Sequence, residues 1–205
     1  KLKPEISGTA QKNLERTLQF KPNPFMDTSK FIYRIATILS VNNTCFIVPI
    51  EDEFGGLIGY YPLLPQRCEV VEYNGAPFLR YTFGSGQKAA IEFERVGVMT
   101  QFQYTDDFFG ESNAALRPTM QLIHTQNQGI INGVKQIESK PFTVNAAQMA
   151  QINENVFNYF GTNAGILQNK YTEDEWNAYY EGKIEPFAIQ LSLVMSNMTY
   201  TCLLY

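Results

Sequence analysis

The chain has 205 residues, of which 44% are hydrophobic and 18% charged, and this suits one large folded domain or two small ones. Its net charge of -4 excludes a protein that holds duplex DNA mainly by neutralising phosphates with lysine and arginine. No apolar run approaches the roughly 18 residues of a membrane helix, and the polar N-terminal stretch does not predict a secretory signal. Three separated cysteines, Cys45, Cys68 and Cys202, are typical of buried reduced thiols and not of a disulfide scaffold.

The first part of the chain predicts two helices joined by a rigid connector. Residues 6–19 suit a helix, and the prolines of the 21–25 segment stiffen the connector because each fixes its own φ. Asp27 or Thr28 can cap the second helix, which we expect to end near residues 42–43. The apolar residues of that helix recur at helical spacing: Phe31, Ile35, Ile38 and Leu39.

Residues 44–104 predict about six short strands, arranged mostly as a meander. The strongest hairpin signal among them is Asn74-Gly75. The 84–88 segment has the glycines of a phosphate loop but not the spacing of either nucleotide-binding motif, and strand patterns flank it, so we expect a hairpin turn. The last strand is expected to span 96–104.

From about residue 111 the periodicity is helical. Ser112 or Asn113 can cap a helix that runs towards residue 136. Asn145 and Gln148 predict an amide version of the capping box for the next helix, which Gly161 should end.

The last helix also begins with a capping box. Thr172 and Glu175 form the box, and Tyr171 and Trp176 can form the hydrophobic staple around it. Pro186 should kink or divide this helix. Together the elements predict an α+β fold, in which a β-rich region at about 44–104 with flanking helices is followed by a helical half. We expect the division near residue 110, with regions 1–110 and 111–205.

Few residues could carry catalysis or bind a metal. His124 is the only histidine, and its neighbours favour a solvated or interfacial helix residue. Acidic groups occur at 51–53, 106–107 and 173–175, and a turn explains the first and a helix start the third. Asp106-Asp107 is the least explained pair and is a candidate site for a hydrated cation. We expect no catalytic residue and no cofactor.

The chain is rich in neutral amide side chains and has few charged ones. The chain has 16 Asn and 14 Gln against 36 charged residues, and residues 101–160 hold fifteen amides and eight charges. Two interpretations remain open. The amides form an ordinary solvated helical face, or they form a surface that stays hydrated without binding charge strongly.

Several short segments follow one another along the chain. They are 22–28 before an apolar helix, 42–47, 61–63, 81–86, 108–112, and 155–165 with 184–186. This ordered set, over about residues 20–200, resembles the portal protein family of long-tailed bacteriophages and prophages. No single segment is specific, and it is their order that carries the resemblance.

The resemblance implies a structural protein that is not an enzyme and needs no cofactor. Portal proteins form a closed ring, usually of twelve identical subunits, at one vertex of the capsid, and double-stranded DNA is packaged and ejected through it. The implied partners are the terminase large subunit, a head–tail adaptor, the major capsid protein and DNA without sequence specificity, with no membrane. The implied location is the virion, after synthesis in the bacterial cytoplasm.

The family fold has a wing, stem helices, a clip, a tunnel loop and a crown. Carried onto this chain, the resemblance implies a wing at 20–104, stem or stem-adjacent helices at 113–136 and 145–160, the tunnel loop or its neighbour at 161–169, and a segment at 172–200 that leads to the crown. One departure is the clip, because only about eight residues, 137–144, separate the two stem helices. Either the chain is a shortened form, or the sequence joins separate pieces.

A translocation channel must guide a polyanion without holding it. A lysine-rich lining would bind phosphates through counterion release, whereas a neutral hydrated lining lets a duplex slide. We therefore expect amide and hydroxyl side chains to line the channel. The candidates are Gln121, Gln126, Gln128, Asn132, Gln148, Gln151, Asn155, Thr162, Asn163, Gln168 and Asn169.

Two alternatives of other classes stay open. One is a β-rich hydrolase or nucleotide-binding enzyme with a helical cap, which requires a deep cleft around Asp106, Asp107 or His124. The other is an adhesion or assembly module, which only its partners would distinguish from a portal.

Overall fold

The computed structural model describes residues 9–125 and 146–204, which form helices and two small antiparallel sheets. The helices are α1 (Thr9–Phe20), α2 (Thr28–Asn42), α3 (described over 117–125), α4 (Ala146–Tyr159), α5 (Ala164–Leu167), α6 (Glu173–Tyr179) and α7 (Glu185–Leu204). The strands are β1 (Thr44–Glu51), β2 (Leu57–Leu63), β3 (Cys68–Tyr73), β4 (Ala76–Thr82), β5 (Lys88–Glu92) and β6 (Gly97–Thr100). The predicted combination of helices with a β-rich region is confirmed.

The chain divides into two compact units. The first consists of Lys1–Glu111 and Phe187–Tyr205, and the second of Ser112–Pro186. The wing, stem, tunnel-loop and crown assignments stay predictions.

Helix α2 of the first unit has the predicted boundaries. The side chain of Asp27 accepts a hydrogen bond from Lys30 N at 2.8 Å and so caps its start. Asn43 ends the helix in the left-handed conformation, at φ 54°, and its N–H donates to the Leu39 carbonyl. The buried residues of α2 are those of the predicted stripe, Phe31, Ile35, Ile38 and Leu39.

The second sheet, in the order β3-β4-β5, is the predicted meander. Its first hairpin turns at Asn74-Gly75, where the φ angles of 53° and 80° are both positive as a tight hairpin turn requires. In the second hairpin Thr82 pairs with Lys88, so the glycines of the 84–88 segment lie in a turn between two strands and not in a phosphate loop, as predicted.

The first sheet has the order β2-β1-β6, so the meander does not extend to the last strand. β6 returns to β1, where Met99 pairs with Cys45, and the two side chains are buried in one core cluster. The prediction that this strand spans 96–104 is wrong, since β6 ends at Thr100. Phe102 has a φ of 51°, and a left-handed residue cannot continue an extended strand.

Helix α7 contributes to the core of the first unit. Its Leu191, Met195 and Met198 are buried in the larger core cluster together with Phe31 and Ile35 of α2. A smaller cluster comprises Phe46, Leu63, Cys68, Leu79 and Val96.

The second unit confirms the predicted helix signals that fall on described residues. α4 ends before Gly161, which has a φ of 62°. The capping box at the start of α6 contains both of its hydrogen bonds. Thr172 Oγ1 accepts from Glu175 N at 3.2 Å, and Glu175 Oε2 accepts from Thr172 N at 2.7 Å. The rings of Tyr171 and Trp176 stack at 5.2 Å.

The last helix is divided close to Pro186, as predicted. Residues Tyr180–Ile184 form a π-helical segment between α6 and α7, and Glu185 N–H donates to the Tyr180 carbonyl five residues back. Ser112 caps a short 3-10 turn that precedes α3. The predicted course of that helix to residue 136, the Asn145 cap and the short 137–144 segment lie outside the described residues.

Within residues 9–125 and 146–204, no helix combines the length and the apolar character needed to cross a membrane.

Candidate nucleic-acid interface

Helix α4 presents amide side chains to solvent. The exposed residues include Gln151, Asn153, Asn155 and Asn158, and Glu154 is the only charged residue between Ala146 and Tyr159. Gln151 Nε2 donates to Asn155 Oδ1 at 3.3 Å, so two predicted channel residues lie together on one helical face. Gln151, Asn155 and Asn158 recur at helical spacing on one side of α4, and we call these three exposed amides the amide face. Each amide can donate and accept hydrogen bonds without carrying charge.

The remaining helical candidates are described in part. Gln121 is exposed on α3. Gln148 belongs to α4, but its side chain lies outside the described ones. Gln126, Gln128 and Asn132 lie outside the described residues, and their place in a channel stays a prediction.

Asn163 has a structural role within the second unit. Its Oδ1 accepts from Ile166 N at 2.8 Å and caps α5, and its Nδ2 donates to Glu175 Oε1 at 3.3 Å. These bonds use much of the hydrogen-bonding capacity of the Asn163 side chain inside the protein. The preceding candidate, Thr162, has a buried Oγ1 with no hydrogen-bond partner among the residues described.

Gln168 and Asn169 are exposed at the end of α5. Asn169 has a φ of 54°, and the next residue, Lys170, donates its N–H to the Gly165 carbonyl at 2.8 Å. The 161–169 segment is thus a single helical turn bounded by two left-handed residues, and this compact form keeps both exposed amides at fixed positions.

The carboxylate of Glu175 is held in its charged form by the helix cap. The N–H and the hydroxyl of Thr172 both donate to it, and these hydrogen bonds lower the pKa of Glu175 from its ordinary value.

A turn explains Asp106 without a cation. Its Oδ1 accepts from Phe108 N at 2.7 Å and from Phe109 N at 2.9 Å. Asp107 and His124 are exposed. In the described part of the chain, no group of three or more His, Cys, Asp or Glu residues could hold a metal ion.

The loop of residues 101–111 was not predicted from the sequence, which favours a strand as far as residue 104. Its Gly110 lies between two backbone segments, because a Cβ on it would be 2.2 Å from Asn43 O and 2.3 Å from Gln101 O. Its Gly110 N–H donates to Thr44 Oγ1 at 2.8 Å. The one sequence signal was the aromatic pair followed by glycine, Phe108-Phe109-Gly110.

The thiols of Cys45 and Cys68 are buried, as predicted, while Cys202 lies outside the described side chains. Burial raises the pKa of each described thiol to about 12, because the charged thiolate loses its hydration. Neither thiol is therefore a nucleophile at neutral pH.

No protein-family model and no curated protein matches the sequence. Among solved structures, the fold is similar to that of a chain in the neck of an empty gene transfer agent (GTA) particle computed with C6 symmetry. The TM-score is 0.51 at 16% identity, over 68% of this chain and 43% of that chain. Similar chains also occur in the neck of the native GTA particle computed with C12 symmetry (TM-score 0.46, 15% identity, 69% and 44%). A third is in the virion of the native GTA particle (0.46, 15%, 68% and 43%).

The likeness shows that this chain shares a fold with a chain of the GTA neck. The chain spans less than half the length of each chain that it resembles.

Proposed function

We propose that this chain is a structural subunit of a portal-type ring at one capsid vertex, through which double-stranded DNA passes. The observation that carries the proposal is the likeness of its fold to a chain in the neck of an empty GTA particle. The ordered sequence segments that resemble portal proteins support the proposal independently of that likeness.

On this proposal the chain acts in the virion as one of about twelve identical subunits. The terminase large subunit, a head–tail adaptor and the major capsid protein are its protein partners, and DNA is bound without sequence specificity. The function is structural, and no cofactor takes part.

The amide face supports the proposed contact with moving DNA. A neutral amide that touches a phosphate releases no condensed counterion, so the contact is weak and depends little on salt. A lysine at the same position would release a counterion and strengthen binding. With one carboxylate, Glu154, among the amides of α4, this helix has no cationic group that would retain a phosphate.

Electron microscopy of the purified chain tests the ring. We expect closed rings of about twelve subunits with a central hole wide enough for a duplex. A protein that sediments as a monomer at high concentration contradicts the proposal, because a subunit of a closed ring must present complementary surfaces to its neighbours.

A lysine substitution tests the neutral lining. Asn155→Lys should increase affinity for duplex DNA and steepen the slope of log K against log salt by about 0.9 for each new phosphate contact. The matched control is Gln87→Lys, an exposed amide in the β4–β5 turn. If both variants change the slope equally, α4 does not contact DNA and the channel assignment of its amide face is wrong.

A further inference from the structure

The loop of residues 101–111 presents one aromatic side chain almost fully to solvent. Tyr104 is 90% exposed, and Asp107 is exposed three residues further along the same loop. In the part of the chain that the structure describes, Asp107 has no ion-pair partner. Tyrosine buries a large area at low entropic cost, and it is common among the residues that dominate protein interfaces.

Hydrogen bonds within the loop fix its shape. Glu111 N donates to the Phe102 carbonyl at 3.0 Å, and Thr105 N donates to Glu111 Oε1 at 3.0 Å. Gln103 Nε2 donates to the Asp106 carbonyl at 3.0 Å. These contacts join both arms of the loop around position 104.

Aromatic contacts anchor the loop to β1 and to the turn between β5 and β6. The rings of Phe108 and Phe93 meet edge to face at 4.9 Å, and those of Phe109 and Phe46 at 5.3 Å. Tyr104 is therefore carried on a preformed support, and docking it costs little further ordering.

The same unit has a complementary surface at the end of α1. Arg16, Thr17, Phe20 and Lys21 line a shallow depression of about 690 Å³ that is open to solvent. Phe20 is 67% exposed, and Arg16 and Lys21 form no ion pair with any described residue. We call these four residues the α1 depression. It offers an aromatic wall and two positive charges, which suit a tyrosine accompanied by a carboxylate.

We propose that Tyr104 and Asp107 of one subunit dock into the α1 depression of a second copy of this chain. Within one chain Tyr104 stays exposed, so its own α1 depression does not hold it. When each pair of subunits makes this contact once, it is head-to-tail, and such contacts generate a ring when the rotation between subunits closes, whereas two reciprocal copies of it would form a two-fold dimer. The inference rests on the proposed ring function and names the surfaces that join neighbours.

Site-specific photo-crosslinking tests the contact in the full chain. We replace Tyr104 with p-benzoylphenylalanine, mix 14N-labelled and 15N-labelled protein before assembly, irradiate, and map cross-linked peptides by mass spectrometry. We expect cross-links from position 104 to residues 16–21 that join a light peptide to a heavy one. Cross-links within one isotope label only, or to other parts of the chain, would overturn the contact.

A charge exchange tests the energetics of the same contact. Lys21→Glu and Asp107→Lys should each weaken self-association about tenfold or more, and the double variant should recover most of the loss. The matched controls are Lys170→Glu and Glu53→Lys, which make the same charge changes at exposed residues outside the contact. Losses as large in the controls, or a double variant weaker than both single ones, contradict the pairing.

The outcomes separate this contact from the proposed function. Rings that form without the 104-to-16–21 cross-link overturn the contact and leave the ring function standing. Open filaments or dimers that carry the cross-link support the contact and contradict the closed ring. A chain that stays monomeric and gives no cross-link overturns both.

Discussion

Gly110→Ala tests whether the 101–111 loop is held by close backbone packing. A Cβ at this position would lie 2.2 Å from Asn43 O and 2.3 Å from Gln101 O, whereas a carbon and an oxygen normally stay about 3.3 Å apart. Both oxygens are backbone atoms, and Asn43 is 2% exposed, so neither can turn aside as a flexible side chain would. The methyl group therefore has to move one of the two segments.

The cost follows from the hydrogen bonds that such a movement breaks. Gln101 N donates to Asn43 O at 2.8 Å, Gly110 N donates to Thr44 Oγ1 at 2.8 Å, and Asn43 Nδ2 donates to Glu111 O at 2.7 Å. Three bonds at a net value of about 1 kcal/mol each give about 3 kcal/mol. The lower entropy of unfolded alanine offsets about 0.4–1 kcal/mol, which leaves a destabilisation of about 2–3 kcal/mol.

Urea denaturation measures this loss in the first unit. Labelling of the buried Cys45 and Cys68 thiols reports its unfolding, and we expect the midpoint of Gly110→Ala to fall by about 1 M or more. The control is Gly84→Ala, where a Cβ would lie 3.5 Å from Arg67 Nη1, an ordinary contact, and the change should stay within about 0.5 kcal/mol. Equal midpoints for the two variants would refute the reasoning.

Three further predictions concern the core and the caps. Iodoacetamide at pH 8 should leave Cys45 and Cys68 unmodified in the folded protein and modify both in urea, as peptide mass spectrometry can measure. Because their pKa rises from 9.0 to about 12 on folding, their contribution to stability is full below pH 9 and is lost as the pH rises through about 12. Thr172→Ala should destabilise the second unit by about 1 kcal/mol, followed through the fluorescence of the single tryptophan. In an NMR titration the same change should raise the pKa of Glu175 in part, because the bond from the Thr172 backbone N–H remains and the bond from the hydroxyl is lost. The stability that comes from this lowered pKa is present above 4.5 and is lost as the pH falls through the folded value. Gly97→Ala should cost about 1–3 kcal/mol in the urea assay, because its Cβ would lie within 2.6 Å of two side chains of α7.

The structural features that could be predicted from the sequence are those that depend on local interactions. The caps at Asp27 and Thr172, the Asn74-Gly75 turn and the stop at Gly161 each depend on residues within one turn of the chain. In each case a side chain bonds a nearby backbone group, or a residue tolerates a positive φ. Such preferences are visible in a short window of sequence, and tertiary contacts did not override them.

Contacts between distant segments could not be predicted. The return of β6 to β1 is decided by the burial of Met99 against residues about fifty positions earlier. Apolar residues are spread around helix α7 among its polar ones, so their periodicity does not show which face enters the core or that the core belongs to the first unit. Gln151 and Asn155 of α4 could be predicted as exposed, because their position opposite the apolar stripe follows from helical spacing.

The adjacent residues Asp106 and Asp107 have different environments in the structure. Adjacent carboxylates can indicate a cation site, yet the Asp106 carboxylate accepts two backbone N–H bonds at 2.7 and 2.9 Å. Its capping fixes the turn after residue 104, while Asp107 stays exposed and outside the described ion pairs. Asp106→Ala, which removes the accepting oxygen, should therefore alter the loop through the lost cap, whereas Asp107→Asn should leave the fold intact and weaken only self-association. An amide at position 107 carries no charge that would attract Arg16 and Lys21 of a second copy, and complementary charges are what orient one such surface against another.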